Sequence, residues 1–289
     1  MDRILKLRAL IMLVLVALGG LAWLPSVSES QSGVPEGLLS VHFLDVGQGD
    51  ATFIETDQGV QVLIDGGRGS AVLRELGSVM APNDRTIDIV VATHPDSDHI
   101  GGLIDVFARY EVGAIVMTEN TGESEAAAAY AAAAEVEGAE IIMARRGQSF
   151  TFSTSTRMEV LFPDTDASQM ESNTSSIVLK LIHGETSFLL TGDSPKNIEE
   201  YLVLLEGENL ESDVLKVGHH GSRTSTSELF LAEVDPRYAV ISASSDNRYG
   251  HPHVEVTDLL FNYRVETYST AEHGRVTILS DGQTIEVSI

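Results

Sequence analysis

The chain has no cysteine. That absence excludes disulfide staples and thiolate metal ligands, and leaves imidazoles and carboxylates as the strong side-chain ligands for a divalent ion. Basic residues are scarce, with 18 Lys and Arg against 43 Asp and Glu and a formal charge of -25 over 289 residues. Such a surface repels nucleic acid and anionic lipid over most of its area. A polyanionic substrate must then be held locally, by metal ions or a small basic patch. The body shows no internal repeat and no second linker, so one domain over residues 37–289 is the economical reading. The hydrophobic share of 43% is enough for its core.

Long apolar runs are absent but for one. Arg3, Lys6 and Arg8 precede a run from Ala9 to Leu24, closed by Pro25 and a polar stretch. This pattern predicts an export signal or an N-terminal membrane anchor over residues 1–30, with a linker at 31–36. The run is shorter than the roughly 20 residues that span a bilayer comfortably, although Ile4, Leu5 and Leu7 extend it, so cleaved and anchored forms both stand. Positive charge on its N-terminal side places the rest of the chain outside the cytoplasm in either form.

From Leu39 onward, short β-branched runs punctuated by Gly and Asp predict strands, among them Leu39–Leu44, Ile87–Ala92, Ser176–Ile182, Thr186–Leu190 and Val214–Val217. Helices are predicted between them at Ala71–Gly77, Ile100–Tyr110, Ser124–Val136, Lys196–Leu205, Ser227–Leu231 and Val254–Phe261. The alanine run after Ser124 is the clearest. Strand-rich meanders interrupted by helices point to an α/β protein with two packed sheets and helices outside.

Four segments carry chemistry. In THPDSDHIGG, His94, Asp96, Asp98 and His99 leave the end of an apolar strand within a few residues, and Gly101 and Gly102 let the chain turn closely into a helix. A second strand ends at LLTGDS and delivers Asp193, a third at DVLKVGHHGS and delivers His219 and His220. The fourth segment, NRYGHPH, carries His251 and His253. An acidic turn or a lone histidine loop is ordinarily a solvated surface feature. Adjacent histidines at a strand end are not, because two desolvated imidazoles need partners. Together the segments predict a binuclear cation site built from carboxylates and imidazoles, suited to zinc, manganese or iron and able to activate water.

With VHFLDVGQGDATFI, VLIDGG, NTSSIVLKL and FLLTGD added to those segments, the body resembles the metallo-β-lactamase superfamily, and within it the hydrolase-like domain of ComEC-type DNA-uptake proteins. The resemblance implies an αββα four-layer sandwich of two mixed sheets with two divalent metal ions, zinc or manganese, at one edge. It implies that His94 and Asp96 bind the first ion, Asp98 and His99 the second, that Asp193 bridges them and that His220 completes the second site. His219 lies against that site as a ligand, proton donor or phosphate contact, and which of the two histidines does which stays open. Asp98 and His219 are the residues placed in catalysis. Many relatives have histidine where Asp96 stands, and a further histidine ligand before the bridging Asp. Here that interval holds only His183, in an expected hairpin turn where it is predicted to be solvated, so the first site is oxygen-rich and favours manganese. Asp45, Gln48, Asp50 and Asp65 are read as supporting residues behind the ligands. Asn173 and Ser175 either contact a substrate oxygen or cap a strand end, and His251 and His253 are further substrate contacts.

The expected activity is metal-activated hydrolysis of a phosphodiester, with DNA the substrate that the resemblance favours and no particular protein partner assigned. Competing expectations are a smaller cell-envelope phosphoester, a lactonase or β-lactamase activity, and a DNA-uptake accessory without turnover. The chain's single apolar segment differs from the multi-span channel of a full DNA-uptake protein, and its acidity opposes DNA coating.

Overall fold

A computed structural model describes residues 37–289 and the two-residue strand Ala22–Trp23. The signal or anchor expected over residues 1–30 and the linker at 31–36 otherwise lie outside the described residues. No helix among the described residues is long and apolar enough to cross a membrane.

The strands in chain order are β1 (Ala22–Trp23), β2 (Leu39–Phe43), β3 (Thr52–Glu55), β4 (Gln61–Ile64), β5 (Thr86–Ala92), β6 (Glu111–Met117), β7 (Glu140–Met143), β8 (Ser149–Thr151), β9 (Thr156–Phe162), β10 (Val178–His183), β11 (Thr186–Leu190), β12 (Val214–Lys216), β13 (Tyr238–Ile241), β14 (Glu266–Ser269), β15 (Val276–Ser280) and β16 (Ile285–Ser288). They form two mixed sheets, ordered β16-β15-β2-β3-β4-β5-β6-β7 and β1-β8-β9-β10-β11-β12-β13-β14. In the first, β4 to β7 run parallel, and in the second β11 to β14 do.

The strand sequences explain the layering. In β5, Ile89 and Val91 enter the core between the sheets with Val41, Leu179 and Phe188, while Ile87 and Val90 turn to the outer face. A strand buried on both faces is apolar without alternation, as the IVV of β5 is. The outer face of the first sheet is covered by α1 (Ala71–Val79), α2 (Ser97–Ile100), α3 (Leu103–Phe107) and α4 (Glu125–Glu137). The second is covered by α5 (Lys196–Glu206), α6 (Glu228–Val234) and α7 (Val254–Asn262). Helix α4 begins where Ser124 accepts the Ala127 N–H at 3.1 Å and ends at Gly138, whose φ of 70° only glycine adopts readily. The result is the expected αββα sandwich.

Two expectations need correction. The single helix expected over Ile100–Tyr110 is two short helices broken at Gly101–Gly102, because the backbone there presses on the Asp65-Gly66-Gly67 turn. A Cβ on Gly102 would stand 2.0 Å from the Gly66 carbonyl oxygen. His183 is not solvated but buried, at 3% exposure. Its Nδ1 meets Thr156 Oγ1 at 2.8 Å, and that hydroxyl donates to Asp57 at 2.6 Å. Because β10 is antiparallel to β11, His183 sits at the end of the second sheet opposite Asp193. There it ties strands together, and it supplies no ligand.

Candidate metal centre

The parallel strands of both sheets end at the same edge, and their C-terminal loops supply the chemistry. His94 and His99 follow β5, Asp193 follows β11, His219 and His220 follow β12, and His251 follows β13. The two sheets are joined here by the Ile177 N–H, which donates to the Thr93 carbonyl at 3.0 Å.

Four imidazoles converge on one carboxylate oxygen. Asp193 Oδ2 lies 3.3 Å from His99 Nε2, 3.5 Å from His220 Nε2, 3.7 Å from His219 Nε2 and 3.9 Å from His94 Nε2. Asp96 Oδ2 is 3.7 Å from His94 Nε2, and Asp98 Oδ2 is 3.8 Å from His220 Nε2. The orientation of each ring is fixed from behind. Asp65 accepts from the Thr93 backbone N–H at 2.8 Å and its hydroxyl at 2.6 Å, and from His99 Nδ1 at 2.7 Å. The Thr93 proton being so used, its oxygen is left to accept from His94 Nδ1 at 3.0 Å. His220 Nδ1 donates to the Ser242 carbonyl at 3.0 Å. With the Nδ1 atoms of His94, His99 and His220 carrying protons, these three neutral rings aim bare Nε2 lone pairs at Asp193.

A lone pair facing a carboxylate is repulsive unless a cation sits between them or the ring takes a second proton. The Nε2 atoms of His94, His99 and His220 and Oδ1 of Asp193 are all buried without a hydrogen-bond partner. In an interior where unpaired polar atoms are costly, that set fits divalent metal ions.

The proton affinities agree. Burial alone depresses His99, but the Asp193 and Asp65 carboxylates overcome it and hold the ring well above the ordinary imidazole value; His220 is likewise raised, by Asp193 and Asp50 against burial. Burial, then the neighbouring His99, lowers His94 to about 3. Asp193 stays ionised because His220, His99 and His94 outweigh the effect of its burial. In the metal-free protein, protons on His99 and His220 therefore stand in for the missing positive charge, and a metal must displace them. Metal affinity is expected to rise with pH by about tenfold per unit for each proton released, while the rings are protonated. Calorimetric titration in buffers of different ionisation enthalpy reads the proton count, and binding without proton release would contradict this account.

Asp50 is among the four buried residues whose donor atoms cluster within 4.8 Å, with His99, Asp193 and His220. It meets the rings from their Nδ1 sides, however, at 3.2 Å from His220 and 4.0 Å from His99, while Asp193 meets the Nε2 sides. We therefore place Asp50 behind the ligands. Its other oxygen is ion-paired with Lys216, which is buried at 3% exposure and also donates to the Gly192 carbonyl at 3.3 Å. Burial would raise the Asp50 carboxyl, but Lys216 and His220 hold it well below the usual carboxylate range. Sequence reasoning missed Lys216, whose signal was a lone cation in the segment DVLKV. The loop carrying Asp50 is pinned to the metal motif: the Asp50 N–H donates to the Asp98 carbonyl at 3.1 Å, and a Cβ on Gly49 would stand 2.2 Å from that oxygen.

His219 and His220 both adopt left-handed backbone, at φ 50° and 56°. Adjacent non-glycine residues hold this conformation only under surrounding constraint, which is characteristic of functional sites. His219 is the more open of the pair, its Nδ1 3.0 Å from Thr224 Oγ1 and 3.5 Å from Asn173 Nδ2. Ser175, expected beside Asn173, does not reach the site: it is fully buried and its hydroxyl donates to the Ser172 carbonyl at 2.6 Å. Ser172 itself donates to Asp96 at 2.6 Å. Asp45 accepts the Gly47 N–H within its own turn, and Gln48 accepts the Ser244 N–H across the loops. His251 packs its ring 5.7 Å from His219 and 6.2 Å from His220, and His253 lies behind it, accepting the Arg223 N–H at 3.2 Å.

One side of the rim carries arginines. Arg248 donates to the Tyr249 hydroxyl at 3.1 Å, and with Arg68 it holds the phenol below its ordinary value. Tyr249 stacks on His251 at 5.6 Å, and Arg68 lies 3.8 Å from Asp98.

The metallo-beta-lactamase superfamily model matches residues 44–245, a span that contains every donor named around Asp193. The chain belongs to this superfamily. Within the superfamily it is similar to ComE operon protein 3 of Bacillus subtilis, 33% identical over 253 residues that cover 82% of this chain and 32% of that protein. It is similar also to competence protein ComA of Neisseria gonorrhoeae, 34% identical over 227 residues that cover 78% of this chain and 30% of that protein. These are ComEC-type competence proteins, and the chain spans about a third of their length. The metallo-beta-lactamase fold protein YhfI of Bacillus subtilis superposes with a TM-score of 0.52 at 12% identity, over 87% of this chain and 99% of that one. This superfamily member thus has a metallo-hydrolase fold with a candidate metal cluster and competence-protein relatives.

Proposed function

We propose that this superfamily member is an extracytoplasmic, metal-dependent phosphodiesterase acting on DNA or on a phosphodiester of similar chemistry. The observation that carries the reading is Arg68, 3.8 Å from Asp98 of the metal cluster, with Arg248 held on the rim by Tyr249, in an otherwise strongly acidic chain. A phosphodiester anion offers guanidinium groups charge-assisted hydrogen bonds, whereas an uncharged lactone does not. The competence relatives support the nucleic-acid substrate, and the cationic start of the sequence supports export.

In this reading His94, Asp96 and Asp193 hold one divalent ion, and Asp98, His99, His220 and Asp193 hold a second, zinc or manganese. Bound there, the ions supply Lewis acidity and an activated water. The residues do the rest. Asp65 and Thr93 keep the His99 and His94 rings turned inward, Arg68 and Arg248 orient the phosphoryl oxygens, and Asn173 and His219 line the open side. Asp98 reaches both the metal cluster and Arg68, so it stands where the water and the phosphate meet, and His219 is placed to exchange a proton with the departing oxygen.

The charge of -25 favours a second substrate, a short cell-envelope phosphodiester, over a long polyanion. Hydrolysis of bis-p-nitrophenyl phosphate, single-stranded DNA, a lactone and a cephalosporin with manganese or zinc separates the readings. Cleavage of the two phosphodiesters alone is expected. Turnover of the small diester without DNA would move the substrate to the envelope, and cleavage confined to the lactone or the cephalosporin would overturn the proposal. Binding of a partner protein with no turnover of any substrate would assign an accessory role.

A further inference from the structure

A cavity of about 570 Å³ opens beside the metal cluster, at the C-terminal ends of β13 and β14. Its walls are Pro252, Phe261 and Tyr268, its polar groups include Ser245, Thr267 and Glu272, and His251 forms the side shared with the cluster. Ile241 and Ser244 on its floor flank Ser242, the residue whose carbonyl orients His220. The cavity therefore begins one imidazole away from the atoms at which a phosphodiester would react. Its volume falls in the range of small-molecule sites, with the mixture of aromatic walls and a few polar groups that such sites have.

Resting on the phosphodiesterase reading, we propose that this cavity is a nucleoside subsite, holding the base and sugar on one side of the scissile phosphate. An anion is disfavoured, because Glu272 is the charged group of the lining and the arginines lie on the Tyr249 side of His251. A bare alkylammonium would satisfy Glu272 but offer nothing to the Ser245 hydroxyl or to the acceptor side of Thr267, whose proton goes to the Val265 carbonyl at 3.2 Å. A nucleoside presents donors and acceptors to these groups and a flat face to Phe261 and Tyr268. Phe261, at 79% exposure, is otherwise an uncovered aromatic on α7.

The test compares two esters that share the p-nitrophenolate leaving group. One is thymidine 5′-(p-nitrophenyl phosphate) and the other methyl p-nitrophenyl phosphate, each hydrolysed by the full chain with manganese. The wild type is expected to favour the thymidine ester in kcat/KM. Phe261→Ala should cut that preference roughly tenfold, as expected for one lost stacking partner. Thr267→Trp, which fills the cavity, should abolish it. Preferences unchanged in both variants, or no preference in the wild type, would overturn the subsite while leaving the phosphodiesterase standing. If neither ester is hydrolysed, the phosphodiesterase reading fails instead. NMR line broadening of free thymidine then decides the cavity by itself: broadening by the wild type but not by Thr267→Trp supports it, and equal broadening or none overturns it.

Discussion

Asp193→Ala is expected to lose metal-dependent hydrolysis by roughly a thousandfold or more, because it removes the one oxygen on which the four Nε2 atoms converge. The loss should appear in kcat and in metal content alike, with the variant retaining little bound ion after dialysis. Asp193→Asn keeps the shape and much of the polarity of the side chain but not its negative charge, and should fail similarly. The fold should survive, since Asp193 lies in a loop after β11 and contributes nothing to the three apolar clusters. Circular dichroism and metal analysis by mass spectrometry check the two halves of the expectation. A folded Asp193→Ala protein with full metal occupancy and activity within tenfold of wild type would remove this carboxylate from the centre of the site.

Lys216→Met should have the largest effect on stability. The substitution keeps an unbranched side chain in the β12 position but strips the buried Asp50 carboxylate of its cationic partner. Removing one member of a buried pair costs about 3–5 kcal/mol, whereas replacing both by uncharged groups is often nearly neutral. For a domain of this size such a loss lowers Tm by roughly 10 °C. The double variant Asp50→Asn/Lys216→Met should therefore recover much of what the single one loses. Thermal unfolding of the wild type, both singles and the double, with metal chelated throughout, gives the coupling directly. Additive effects would show that the pair contributes no more than its separate members.

The strands and the site differ in how far they can be read from sequence, and particular residues show why. Hydrophobic pattern locates β5, β11 and β12 within a residue or two, and their ends locate His94, Asp193 and the two histidines after Gly218, because a strand end fixes where the next few side chains emerge. The break at Gly101–Gly102 was invisible to periodicity, since it is imposed by a turn more than thirty residues earlier in the chain. His183 was misjudged for a related reason. A hairpin end looks solvent-exposed locally, but here Gly184 packs onto Gly282 and closes it over. The Asp50–Lys216 pair joins two different sheets, and no local signal connects its halves. Ser175 reads like Asn173 in sequence, yet one hydroxyl turned back onto Ser172 and one amide turned toward His219 separate them in space.

The hydrogen bond between Ile177 and Thr93 marks the seam between the sheets, and the imidazoles and carboxylates lie on both sides of that seam. An ion that binds them acts as a rivet through two plates. Its binding energy adds to the resistance of the plates to separation, by about 2.7 kcal/mol at a free concentration a hundred times its Kd. The availability of the ion would then set how long the folded molecule lasts as well as whether it works.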